Sequence, residues 1–336
     1  MFDYSQLEKY DSSRMHKVYD DWPQIAKKTW DSNIEPSNFK DVNHIVFSGM
    51  GGSGAIGDLF LSILSKTSIY VTIVKGYLLP KTVDSKTLVV ATSVSGNTVE
   101  TIATVESATK LGCKIICFSS GGKLEEFCIK NKIQHRKIPI YTNPRASFPA
   151  YVFGIIKTLN SILSIDKESI NDSISKMFNL SEKISTKNLT DSNPSLNLAK
   201  WISDIPIIYY PWGLQAVAVR FKNSLQENTK NHAMIEDVIE ACHNGIVSWE
   251  GKSNVKPVLI RGKEDYIKTK ERWEIMKTYF IEKHIDFKEI VSVEGSVLSK
   301  IINLIYLLDY ATVYQAVLNG IDPSPVKSID YVKSRL

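Results

Sequence analysis

Only four cysteines occur in the chain (Cys113, Cys117, Cys128 and Cys242), and no two are spaced Cys-x-x-Cys. This excludes a disulfide framework and a zinc ribbon; Cys113 and Cys117, inside the strand-like GCKIICF, read as buried core thiols. No unbroken apolar run reaches the roughly 18 residues of a membrane span, and the polar, mixed-charge start MFDYSQLEKYDSSRMHKVYDDW is unlike a secretion signal. Both absences point to a soluble, cytoplasmic chain without a membrane partner. The formal charge of +5 is spread over scattered lysines, with no block of five or six like charges, so a nucleic-acid partner is not expected. No short His–His spacing marks a local zinc motif, and the expectation is that no metal or other cofactor is used.

What is present is an ordinary globular composition, 43% hydrophobic and 23% charged over 336 residues, enough for two domains. The first half alternates strands (44–48, 68–75, 87–92, 114–119) with helical patterns (58–66, 98–111), which predicts a parallel sheet covered by helices. A long apolar helix is predicted over 148–163, and the polar stretch 164–193 reads as the region between domains. A second α/β unit follows: strands at 205–210, 257–260 and 286–291, a strand-like IVSW at 246–249, and helices from 213 through 226, over 264–282, 296–318 and 328–335. The expected fold is α/β, with an N-terminal domain over 1–160 and a C-terminal domain over 161–336.

Two loops in the first half carry binding chemistry. Ser48-Gly49-Met50-Gly51-Gly52-Ser53-Gly54 follows a strand and opens a helix, with glycines at the spacing G-x-G-x-x-G. Such a loop turns backbone N–H groups toward an anion at a helix N-terminus. A dinucleotide would need an acidic residue at the end of the next strand, yet no Asp or Glu lies between Asp58 and Asp84, and a P-loop lysine is absent too. Ser93-Val94-Ser95-Gly96-Asn97-Thr98 again joins a strand to a helix and offers three hydroxyls within six residues. One of them is expected as an N-cap in any case; three beside a glycine favour a phosphate.

GMGGSG followed by SVSGNT resembles the sugar isomerase (SIS) domain. With Pro144-Arg145-Ala146, RFKNSLQENTKNHA (220–233), Glu240-Ala241-Cys242-His243-Asn244 and DPSPV ahead of a C-terminal lysine, the chain resembles the bifunctional phosphoglucose/phosphomannose isomerases of archaea and some bacteria. The resemblance implies two SIS domains, no cofactor, and a sugar phosphate as substrate. It further implies interconversion of glucose 6-phosphate and mannose 6-phosphate with fructose 6-phosphate through a cis-enediolate. Gly51, Gly52, Ser53, Ser93, Ser95 and Thr98 would bind the phosphate. Glu227 would be the base, His243 and Lys333 would serve ring opening, and Arg145 would steady the enediolate. It also implies a homodimer in which His243 comes from the partner subunit.

Read by themselves, these residues leave alternatives open. Arg220 and Glu227, seven apart, share a helix face with Asn223 and Ser224, although a carboxylate there is often only solvated. His232 rivals His243, and Lys327 rivals Lys333. Ser324 is the nearest hydroxyl for a role in mannose recognition. The chain departs from the family at Val94, where an aromatic is common, and at RASFP in place of RAALP; neither change removes a polar group. Two other functions compete: a non-catalytic SIS regulator that senses a sugar phosphate, and an aminosugar-phosphate enzyme. No helix-turn-helix and no glutaminase-like segment supports either.

Overall fold

In the computed structural model, which describes residues 2–335, the chain forms two compact units that are discontinuous in sequence. The first comprises 21–175 with 296–298, and the second 2–20, 176–295 and 299–335. The sequence analysis expects consecutive halves instead. The reason is local: Tyr19 and Asp20 bond to partners in the second unit. Tyr19 donates to Asp309 (3.3 Å), and Asp20 accepts from Tyr310 (2.6 Å) and Thr186.

The first unit holds a five-stranded parallel sheet in the order β2-β1-β3-β4-β5: β1 His44–Ser48, β2 Tyr70–Val74, β3 Leu88–Thr92, β4 Lys114–Ser119 and β5 Gln134–Lys137. HIVFS, LVVAT and KIICFS are near-continuous apolar runs because the central strands are covered on both faces. Its helices include α1 Gly51–Leu64, α2 Val99–Lys110, α3 Gly122–Asn131 and α4 Phe148–Leu163. Val46, Val89, Val105, Cys117, Leu124 and Cys128 meet in one core; Cys117 is a buried core thiol as expected, whereas Cys113 is only half-buried, and Cys128 joins the core instead. Strand β5 is polar and half-exposed, which hid it from a search for apolar periodicity.

Two imidazoles, His44 buried and His135 half-buried, tie this sheet together. His44 Nε2 lies 3.0 Å from Thr72 Oγ1 and its Nδ1 3.2 Å from Thr87 Oγ1, while His135 Nε2 lies 2.8 Å from Ser119 Oγ. Burial pulls both rings below the ordinary histidine range. The folded chain therefore keeps them neutral, whereas the unfolded chain takes up their protons near pH 6.5. Their contribution is full above that pH and is lost as the pH falls through the depressed folded values. Between pH 7.5 and 5 we expect the unfolding midpoint of wild type to fall about 2–4 °C further than that of His44→Gln/His135→Gln; parallel pH dependences in calorimetry would rule the account out.

Helix α5, Lys167–Ile184, occupies much of the stretch expected to be an inter-domain region. Its scattered Ile, Met and Leu among polar residues keep helical spacing, a signal that composition alone concealed. The second unit holds a four-stranded parallel sheet, β7-β6-β8-β9, from β6 Ile205–Tyr210, β7 Met234–Asp237, β8 Val255–Arg261 and β9 Lys288–Val291. Helices α6 Gln215–Ser224, α7 Ile267–Glu282, α8 Val297–Leu318 and α9 Lys327–Lys333 follow in turn. Tyr209, Leu259, Trp273, Met276 and Phe280 form a core on one face. Burial pushes the Tyr209 phenol up to about 12, and its oxygen accepts a 3.0 Å bond from Trp249 Nε1. The expected strand at IVSW is a 3-10 turn, Gly245–Glu250. Taken as a window rather than an unbroken run, α8 is long and apolar enough to span a membrane, which corrects the sequence reading. It is instead a core helix, 89% buried, carrying the partnered polar groups Asp309, Thr312 and Gln315.

Candidate active site

In the first sheet the strand order reverses between β1 and β3, and an open parallel sheet binds ligands at the strand C-termini beside such a switch point. The two loops singled out in the sequence leave those two strands. Three of the four glycines of the first have a cause of their own. A Cβ on Gly49 would meet the Thr92 carbonyl oxygen at 2.9 Å, one on Gly54 would meet that of Gly49 at 2.9 Å, and Gly51 adopts a φ of +53°. Gly51, Gly52 and Ser53 form the first turn of α1, whose N-cap Met50 supplies no side-chain bond. Ser53 N–H donates to the Met50 carbonyl (3.0 Å), so the turn is tight. The leading N–H groups of such a turn have no intrahelical partner and carry the positive end of the helix dipole, which suits an anion.

In the second loop, Ser93 is buried; its hydroxyl donates to Thr98 Oγ1 (2.8 Å) and accepts the Thr98 N–H (3.4 Å). Thr98 is the N-cap of α2 but makes no side-chain capping bond, so its hydroxyl is not spent on the helix. Ser95 is exposed and accepts the Asn97 N–H (3.3 Å). A third loop, Ser119-Ser120-Gly121-Gly122 after β4, escaped the sequence analysis. Ser120 bonds the Val94 carbonyl through both N–H (3.1 Å) and hydroxyl (2.7 Å), and Leu124 N–H donates to the Gly96 carbonyl (2.9 Å). The signal was there in a Ser-Ser-Gly-Gly run between a strand and a helix. Arg145, the fourth catalytic candidate, is buried in the turn before α4, where Phe148 N–H donates to its carbonyl (3.3 Å) and Ala146 N–H to Asn143 (3.0 Å).

Glu227, His243 and Lys333 belong to the second unit. Helix α6 ends at Ser224, and the chain continues as a π-helical turn, Leu225–Thr229, that carries Glu227 half-buried. Single π turns inside helices are frequent at functional positions. This one is braced from α8: Arg220 Nε and Nη2 donate to Asp309 Oδ2 (2.9 and 2.6 Å), Ser224 to Asp309 Oδ1 (2.7 Å), and Asn228 to Thr312 (2.7 Å). Burial works against the Arg220 charge, but the Asp309 carboxylate, with Tyr19 and Glu227, more than offsets it and raises the guanidinium above its ordinary range.

His243 lies exposed just after a short helical turn at Val238–Ala241, its N–H donating to the Glu240 carbonyl (2.8 Å). In the chain, Glu227 precedes β7 and His243 follows it. His232 is also exposed, on the Glu227 side of β7. Lys333 and Lys327 bound α9, a helix with no buried residue. Ser324 N–H donates to Asp322 (2.9 Å). Close to His243, Glu236 packs its carboxylate against Gly245, and burial, then the Glu240 charge, raises its pKa. Among the described residues no group of three or more His, Cys, Asp or Glu is arranged to hold a metal ion.

Comparison with known proteins places this geometry in a family. Residues 191–336 match the bacterial phospho-glucose isomerase C-terminal SIS domain, and residues 38–139 match the SIS domain. The chain is 34% identical over 309 residues to a bifunctional phosphoglucose/phosphomannose isomerase of Caldicellulosiruptor bescii, covering 88% of this chain and 90% of that one. It is 32% identical over 235 residues to a D-glucosamine-6-phosphate 4-epimerase of Sulfolobus acidocaldarius, covering 69% and 72%. In fold it resembles the C-terminal domain of a glucosamine-fructose-6-phosphate aminotransferase from Francisella tularensis, with a TM-score of 0.68 at 15% identity over 92% of this chain and 97% of that one. The chain belongs to the bifunctional phosphoglucose/phosphomannose isomerase family.

Proposed function

We propose that the protein interconverts glucose 6-phosphate and mannose 6-phosphate with fructose 6-phosphate, an aldose–ketose isomerisation of a soluble enzyme. The observation that carries this reading is the near full-length match to a bifunctional isomerase. Gly51, Gly52, Ser53, Ser93, Ser95 and Thr98 are assigned to the phosphate: backbone N–H groups of the α1 turn and the uncommitted hydroxyl capacity of Ser95 and Thr98 complement its oxygens. Lys333 and His243 assist opening of the hemiacetal by moving a proton between the ring oxygen and the anomeric hydroxyl. Glu227 then takes the proton from C2 of the aldose and returns it to C1, through a cis-enediolate whose charge Arg145 steadies.

The protein acts as a homodimer in this reading, with His243 supplied by the partner subunit. The exposure of His243, which leaves it open to a second copy of the chain, supports it. Co-expression of Glu227→Gln with His243→Ala tests it: random pairing through a two-fold axis restores about a quarter of the wild-type sites, because one site of each mixed dimer is intact. No activity above that of the separate variants would refute the shared site.

The isomerase reading itself is tested by coupled assays on both hexose 6-phosphates with and without EDTA, where turnover of both, unaffected by chelator, is expected. Binding without turnover would instead mark a sugar-phosphate sensor. A second reading, action on an aminosugar phosphate, is favoured by the similarity to the Sulfolobus epimerase, and glucosamine 6-phosphate in the same assay separates the two.

A further inference from the structure

Helix α9 has no buried residue, with Ile329, Tyr331 and Val332 all exposed. Nothing in its own packing fixes where Lys333 points. Its position is therefore inherited from the segment before it, Asp322-Pro323-Ser324-Pro325-Val326. One end of that segment is fixed by Asp322, which accepts from Ser12 Oγ (2.5 Å) and from the Ser324 N–H (2.9 Å). The other end is fixed by Lys230. Its ammonium donates to the Glu227 carbonyl (2.6 Å), the Pro325 carbonyl (2.9 Å) and the Pro323 carbonyl (3.4 Å).

A lysine that caps the last carbonyls of a helix is common, and Lys230, at the left-handed C-cap of the π turn (φ +61°), does that with Glu227. A cap alone needs no carbonyl from a segment more than ninety residues away. An ammonium has three donors, enough to serve the three carbonyls at once. The prolines give Lys230 two carbonyls in a stretch where the residues themselves contribute no backbone N–H and have a fixed φ. The pairing is therefore a clamp between the turn that carries Glu227 and the strap that leads into α9.

We infer that Lys230 is a positioning residue that sets Lys333 relative to Glu227, an inference that rests on the isomerase reading above. The two ends of the clamp are not equally anchored. The π turn keeps Asn228 on Thr312, Thr229 on Leu225, and Arg220 and Ser224 on Asp309 without Lys230. The strap leads into the fully unburied α9, so it is the strap and α9 that shift when the clamp is removed.

Lys230→Met keeps the aliphatic stem and removes the donors. We expect kcat to fall about 30- to 100-fold, the scale on which small misplacements act, with KM changed less than about threefold because no phosphate-binding residue is touched. Lys230→Arg, which keeps charge and several donors, is expected to recover most of the loss. The decisive readout is coupling. If Lys230 acts through Lys333, then Lys230→Met/Lys333→Ala is no slower than Lys333→Ala alone. Multiplying losses would overturn the inference, as would wild-type kcat in Lys230→Met or in Lys333→Ala. A lack of turnover by the wild-type protein in the same assays would instead sink the isomerase reading. Circular dichroism and the unfolding midpoint are measured on each variant, and Lys230→Gln, which also removes the charge, carries the same coupling test with Lys333→Ala if the methionine variant does not fold.

Discussion

Glu227→Gln is expected to lower kcat for both hexose 6-phosphates by about 10³-fold or more while changing substrate affinity less than about threefold. The amide has the shape of the carboxylate and leaves the π turn, with its bonds from Asn228 and Thr229, undisturbed. It has no basicity, so a carbon-bound proton cannot be taken. Solvent-deuterium incorporation at C1 and C2 should stop together with net conversion. A variant that retains turnover would remove Glu227 from the role of base. One that loses exchange and binding together would instead show that the charge was holding the site together. Asp309 argues against that second outcome, because it holds Arg220 through two bonds of its own.

The glycine-rich loops were readable in the chain because most of their glycines answer a local steric demand. Gly51 and Gly96 have positive φ, and Gly49 and Gly54 lie under a carbonyl oxygen. The strands were readable where they are doubly covered, as in HIVFS and LVVAT. They were not where a strand is short and polar, as in β5, QHRK, or short and mixed, as in β7, MIED. The π turn at Glu227 has no sequence signature: it arises from the contacts of Arg220, Ser224 and Asn228 with α8, more than eighty residues further on. The same is true of the Lys230 clamp. Lys230 reads in the sequence as one more lysine in QENTKN; only the return of the DPSPV strap gives it partners. For Glu227, His243 and Lys333, physical reading of the chain gives plausible chemistry but no means to bring distant segments together. Family resemblance supplied their roles before any geometry was known.

The second large effect is expected at a glycine, not at a polar residue. A Cβ on Gly96 would sit 1.7 Å from the Gly121 carbonyl oxygen, and the residue has a φ of +72°. The reciprocal contact is nearly as close, since a Cβ on Gly122 would meet the Ser95 carbonyl at 2.9 Å and Asn97 Oδ1 at 2.8 Å. Bonds from Ser120, Lys123 and Leu124 to Val94, Asn97 and Gly96 make the second and third loops one interlocked body. Gly96→Ala cannot be absorbed by a side-chain rotation, because the obstructing atom is backbone. It must push the loops apart and carry Ser95 and Thr98 away from the phosphate. We expect KM for both hexose 6-phosphates to rise about 30-fold or more, as the loss of two charge-assisted hydrogen bonds would require, with a parallel loss of affinity for sorbitol 6-phosphate, a ligand that cannot isomerise. Gly112→Ala is the control. It also has a positive φ (+69°), but its Cβ would meet nothing within 4 Å. It bears only the left-handed backbone cost of about 1–2 kcal/mol and should leave KM unchanged. Equal KM values for the two variants would mean that backbone conformation, not the contact with Gly121, is what Gly96 provides; an unchanged KM in Gly96→Ala would remove the SVSGNT loop from the phosphate site altogether.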